Sequence, residues 1–154
     1  MTTVSVHDLA KRVVEAVAPG ELASFEPVAA PYLDHPARAE RRLRRGDDDP
    51  LGFGLGDAVE MVTPVVALVS GSVITALSDG FGEAVKGGVG KVFRKLTKRR
   101  AVEAPVRAWS EDELAKVRAT ALVRAKALGV REAKAEALAD AIVVALLLER
   151  DGRG

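Results

Sequence analysis

One stretch limits what this chain can become more than any other: the uncharged, Val-rich run from Met61 to Leu77. At about 17 residues it sits at the bottom of the length needed to span a bilayer as a helix. Thr63, Pro64, Ser70, Ser72 and Thr75 dilute it further, so the run is expected as a buried central helix. Asp57 with Glu60 three residues on reads as the helix start, which leaves Pro64 inside and predicts a kink there, the alternative being a restart with Thr63 as N-cap and Pro64 at N1. Winding the run at about 100° per residue gathers Val65, Val66, Val69, Val73 and Leu77 on one face. Ala67, Gly71, Thr75 and Ser78 form a second stripe, whose small side chains would let another helix approach closely.

The next segment, Gly80 to Leu96, has a different character. Phe81, Val85, Val89, Val92, Phe93 and Leu96 share about a third of a helical circumference. Lys86, Lys91, Arg94 and Lys95 lie outside it, and Lys98, Arg99 and Arg100 follow directly. These seven cations are the candidates for contact with an anionic surface. The glycines at 80, 82, 87, 88 and 90 each cost about 0.8–1 kcal/mol relative to Ala in a helix interior. Such a segment needs outside contacts to hold it. An apolar run followed by a basic amphipathic segment is also the layout of a membrane-associating protein, the alternative reading.

The flanks read as helices. Ser5 caps Val6–Ala18, with Asp8 at its third position, and Pro19-Gly20 ends it. Short pieces broken by Pro27 and Pro31 follow, then an arginine-rich helix from His35 to Arg45 with Asp34 as its cap. The loop from Gly46 to Gly56 separates this part from the body. Residues 98–107, with Pro105 among them, read as a linker. Beyond it Ser110 and Glu113 form a capping box, flanked by Trp109 and Leu114 as a hydrophobic staple. That helix stops at Gly129-Val130, a Schellman-type signal, and the last helix runs from about Arg131 to Arg150. The short connection predicts an antiparallel hairpin. Ile142 to Leu148 is apolar on nearly every side, so Val143, Val144, Leu147 and Leu148 need cover that one neighbouring helix cannot give.

Composition narrows the chemistry. Aromatics make up 4% of the chain, so its core is built from Ala, Val and Leu, which suit close helix packing better than a ligand pocket. There is no cysteine, hence no disulfide, thiolate metal site or thiol nucleophile. Lys86-Gly-Gly-Val-Gly-Lys91 matches the start of a phosphate-binding loop, but Val92 occupies the place of the Ser or Thr that would ligate Mg²⁺. No strand is expected before that loop, and no parallel sheet after it. Asp47, Asp48 and Asp49 lack the spacing of a calcium loop and read as loop acids, placed to fold back as counter-charge on the arginines before them. His7 and His35, the two histidines, have no triad pattern around them. Net charge is +1, and Phe93 is the single aromatic within the basic groups Arg38–Arg45 and Lys91–Arg100, which argues against nucleic acid.

The expectation is an all-α protein: a small helical bundle with a C-terminal antiparallel helical hairpin and a basic N-terminal helical arm. The arm covers residues 1–46, the central helices 57–97 and the hairpin 108–150, together forming one domain. The expected function is non-enzymatic, namely interaction or assembly by helix packing with itself or a larger protein. The expected interface is Val143, Val144, Leu147 and Leu148 with the Ala67, Gly71 and Thr75 stripe. No cofactor, metal or small-molecule substrate is expected, and the expected location is cytoplasmic, with membrane association under the alternative reading.

Overall fold

Several helix ends in this protein are set by local hydrogen bonds. The structure, a computed structural model, describes residues 3–45, 61–79 and 103–151. Ser5 Oγ accepts the Asp8 N–H at 3.0 Å and opens α1 (Val6–Val17). A 3-10 turn at Pro19–Ser24 leads into α2 (Phe25–Asp34). Here the broken pieces expected from the prolines give way to one helix. Pro27 falls in the first turn, where no intrahelical N–H is needed, so only Pro31 deletes a bond. The His35 carbonyl accepts the Ala39 N–H at 2.9 Å as α3 (Pro36–Arg45) begins.

The apolar run forms α4 (Thr63–Asp79), and the kink expected at Pro64 is absent because the helix starts later than the sequence suggested. Met61 and Val62 are not helical, so Pro64 lies in the first turn, the one place a helix accepts it without loss. Two three-residue strands were not foreseen. β1 (Thr3–Ser5) pairs antiparallel with β2 (Glu103–Pro105), with Val4 opposite Ala104. Part of the expected linker is therefore a strand. Three residues are too few to display a period of two, and only the burial of Val4 and Ala104 marks them.

At α5 (Glu111–Ala127) both halves of the capping box are made: the Glu113 N–H donates to Ser110 Oγ, and the Ser110 N–H to Glu113 Oε1, each at 3.1 Å. At its far end the Val130 N–H reaches Ala125 O and the Gly129 N–H reaches Lys126 O, the Schellman pair. Gly129 sits at φ 93°, a backbone region that favours glycine. The chain then turns into α6 (Glu132–Asp151). Arg118 with Asp140, and Lys126 with Glu132 beside the turn, link α5 to α6 as two helices running in opposite directions would.

The fold is all-α, the ribbon being minor. Among the described residues α1, α4, α5 and α6 make a closed ring, each packed on the next, while α2 covers α4 from outside and α3 rests on α2. Twelve of the 17 residues of α4 are buried, under α1, α2, α5 and β2. Most of the Met61–Leu77 run thus packs against protein among the described residues. Among the described residues no helix is long and apolar enough to cross a membrane. The arm expectation also needs revision. Leu9, Ala10, Val13 and Val14 of α1, with Phe25 and Ala29 of α2, belong to the same core as α4, α5 and α6. An apolar helix such as α4 needs cover on every side, and α1 and α2 supply part of it; among the described helices α3 alone remains peripheral.

Candidate interaction surface

The second half of α6 carries more apolar surface than its neighbours can bury. Leu138, Ile142, Ala145 and Leu146 point into the core and are buried. Val143 and Leu147 are partly covered. Val144 and Leu148, one turn apart on the outer side, remain 53% and 51% exposed. Beside them Glu149 is buried and its Oε1 accepts Arg12 Nε–H at 2.7 Å, which clamps this end of α6 to α1. The two exposed side chains therefore stand on a helix whose rotation is fixed, not on a fraying end.

The four interface residues expected on α6 lie together, two open and two at the margin. The other three, on α4, do not join them. Ala67 and Thr75 are 1% and 2% exposed. A Cβ added to Gly71 would meet Val6 Cγ1 at 3.9 Å, so this part of the stripe receives the start of α1. The Thr75 hydroxyl turns back to donate to Gly71 O at 2.8 Å. The small-residue stripe does admit a close helix, but the helix is the chain's own. Lys86, Lys91, Arg94, Lys95, Lys98, Arg99 and Arg100, with the Lys86–Lys91 motif and Asp47–Asp49, lie outside the described residues.

Several polar constellations were not legible in the sequence. Glu21, from the 3-10 turn, reaches the start of α4. Its carboxylate accepts the Val62 and Thr63 N–H groups, each at 3.0 Å, and the Thr63 hydroxyl at 2.6 Å. Arg124 of α5, 9% exposed, grips Glu40 of α3 through both terminal nitrogens, with Nη1 to Oε2 at 3.1 Å. Its Nε–H donates to Ser72 of α4 at 3.1 Å. One buried guanidinium thus ties three helices together. Partners some 40 to 80 residues apart leave no mark in local spacing, and an arginine on α5 reads as surface until its contacts are known.

At the surface His7 Nε2 lies 2.8 Å from Glu26 Oε1, and its ring stands edge-on to Phe25 with centroids 5.5 Å apart. The bond to Glu26 holds the imidazole above its ordinary pKa against the opposing effect of burial, and Asp8 adds to it. The same bond holds Glu26 below the usual carboxylate value. This cluster joins α1 to α2 at an exposed edge. Among the described residues no group of three His, Asp or Glu side chains could hold a metal ion. Comparison with protein-family models, with curated proteins and with solved structures gives no match.

Proposed function

We propose that this chain is a non-catalytic helical interaction module that binds through the outer face of α6, at Val144 and Leu148, with Val143 and Leu147 at its edges. The observation that carries the reading is the pair of half-exposed aliphatic side chains one turn apart on a clamped helix. Around them the remaining large apolar side chains of α6 are buried or partly covered. Covering both residues would remove apolar surface worth about 4 kcal/mol at 25 cal/mol per Å². That is enough to anchor a larger interface and too little to be one. The partner is therefore a helix or groove that adds polar contacts around this centre.

The test uses the wild type and Leu148→Asp side by side. Static light scattering over a range of concentrations reads self-association, and affinity capture followed by cross-linking at α6 reads a second protein. The expected result is that Leu148→Asp abolishes the assembly or the cross-link while thermal unfolding is unchanged. A wild type that stays monomeric and whose captured partners are retained by Leu148→Asp would refute the proposal.

A further inference from the structure

Three cations of α3, Arg38, Arg41 and Arg42, are exposed, and its carboxylate is not. Its single carboxylate, Glu40, is turned inward onto Arg124, and Ala39 is buried beside it. At about 100° per residue, holding Ala39 and Glu40 inward brings Arg38, Arg41 and Arg42 together on the opposite side. All three are exposed, while Pro36 and Leu43 on the inner side are partly covered. None of the three arginines pairs with a carboxylate among the described residues. Like charges at three- and four-residue spacing destabilise a helix. Other helices here relieve that cost by mixing signs: Lys11 pairs with Glu26, Arg118 with Asp140 and Lys126 with Glu132. On α3 the carboxylate of Glu40 is taken inward, and among the described residues the outer row is left cationic.

We propose that the Arg38, Arg41 and Arg42 row docks an acidic segment of a protein partner, a run of Asp or Glu side chains. Guanidinium groups bind carboxylates through paired N–H bonds, and a rigid row one turn long spaces them for successive acidic side chains. Two other polyanions fit less well. A single-stranded nucleic acid calls for aromatic platforms between the cations. Tyr32, close enough to Arg42 to feel its charge, is half-buried. A membrane surface calls for an apolar face to insert beside the cations, and the apolar side of α3 packs against the body. The inference rests on reading the chain as an interaction module, and adds a second face whose partner chemistry is defined.

The experiment titrates the full chain into a fluorescein-labelled oligoglutamate peptide at low ionic strength, read by anisotropy. Saturable binding is expected, weakening as salt is raised. The variant R38E/R41E/R42E should lose affinity at least about tenfold, with its circular-dichroism melt unchanged. Arg41→Gln, a milder change, should lose about threefold and covers the case in which the triple reversal disturbs α3. Leu148→Asp should bind the peptide as the wild type does, which separates this face from that of α6. Absence of saturable binding, or equal binding by the triple variant, would overturn the proposal. So would tighter binding to an oligothymidylate of equal charge or to phosphatidylserine vesicles than to the peptide. Loss of peptide binding in Leu148→Asp alone would assign the contact to α6 and overturn it as well.

Discussion

The carboxylate of Glu21 is the most exacting test of how this fold is built, because it satisfies three donors at once. Val62 and Thr63 donate backbone N–H groups that no helical carbonyl can accept, and the Thr63 hydroxyl is buried. Glu21→Ala strands all of them at the entrance of the most buried helix. A lost helix cap alone costs about 1 kcal/mol. Each buried donor left without a partner adds about 1–3 kcal/mol, reduced where water can enter. A total of about 4 kcal/mol is expected, from the cap and three donors each at the low end of that range. Glu21→Gln keeps one acceptor oxygen and loses the charge that favours a helix N-terminus, for about 1–2 kcal/mol. Urea unfolding read by far-ultraviolet circular dichroism gives both values, with Glu26→Ala as an exposed carboxylate control. A double-mutant cycle with Thr63→Val isolates the hydroxyl bond, for which a coupling of about 1 kcal/mol is expected. If Glu21→Ala moved stability no further than Glu26→Ala at constant slope, the capping account would be wrong.

Other consequences can be measured in the same way. Glu40→Ala leaves the Arg124 guanidinium buried without its carboxylate and should cost about 3–5 kcal/mol; the double replacement Glu40→Leu/Arg124→Met should recover most of that loss, measured by urea unfolding. Gly129→Ala forces a side chain into the left-handed region at φ 93° and should cost about 1 kcal/mol; thermal unfolding would show a fall of about 2–4 °C. For His7, Glu26 raises the folded-state pKa, so the stabilisation is fully present below the unfolded value of 6.5 and is lost as pH rises through the folded value. Imidazole proton shifts should report a midpoint above 6.5, and His7→Gln should flatten the stability profile across that window. The effect is small, because the ring is 41% exposed and solvent screens the pair.

Legibility from sequence followed distance along the chain. The Ser5 cap, the Ser110–Glu113 box and the Gly129 stop each involve groups within a few residues of one another, and each is where local chemistry put it. The stripe of Leu114, Val117, Ala121, Ala125 and Leu128 follows from helical period alone; its three central members are buried, and Leu114 and Leu128 are partly covered. Legibility failed where a partner lies far away. Glu21 reaches α4 across 41 residues and Glu40 reaches Arg124 across 84, so neither contact leaves a mark in local spacing. The Ala67, Gly71 and Thr75 stripe shows the middle case. Its spacing foretold a close neighbour and could not say whose, since packing of α1 and packing of a second protein demand the same small side chains.

That ambiguity does not extend to Val144 and Leu148, where folding and binding accounts make opposite demands. A solvent-facing helix position gains nothing from valine. Its branched side chain loses rotamer freedom, and it is a poorer helix former than glutamate by a few tenths of a kcal/mol. If α6 served only the core, Val144→Glu would leave stability unchanged or raise it slightly and would alter nothing else. The loss of partly shielded contact at that position is bounded by its exposure of 53%. Were the face a binding site, the same substitution would bury a charge against the partner and cost at least about tenfold in affinity, with the isolated chain just as stable. Paired measurements, an unfolding curve and a binding isotherm on one variant, distinguish these accounts. A Val144→Glu protein that lost more than about 1 kcal/mol on its own would show that α6 is covered within the chain, and the α6 face would have to be abandoned as the point of contact.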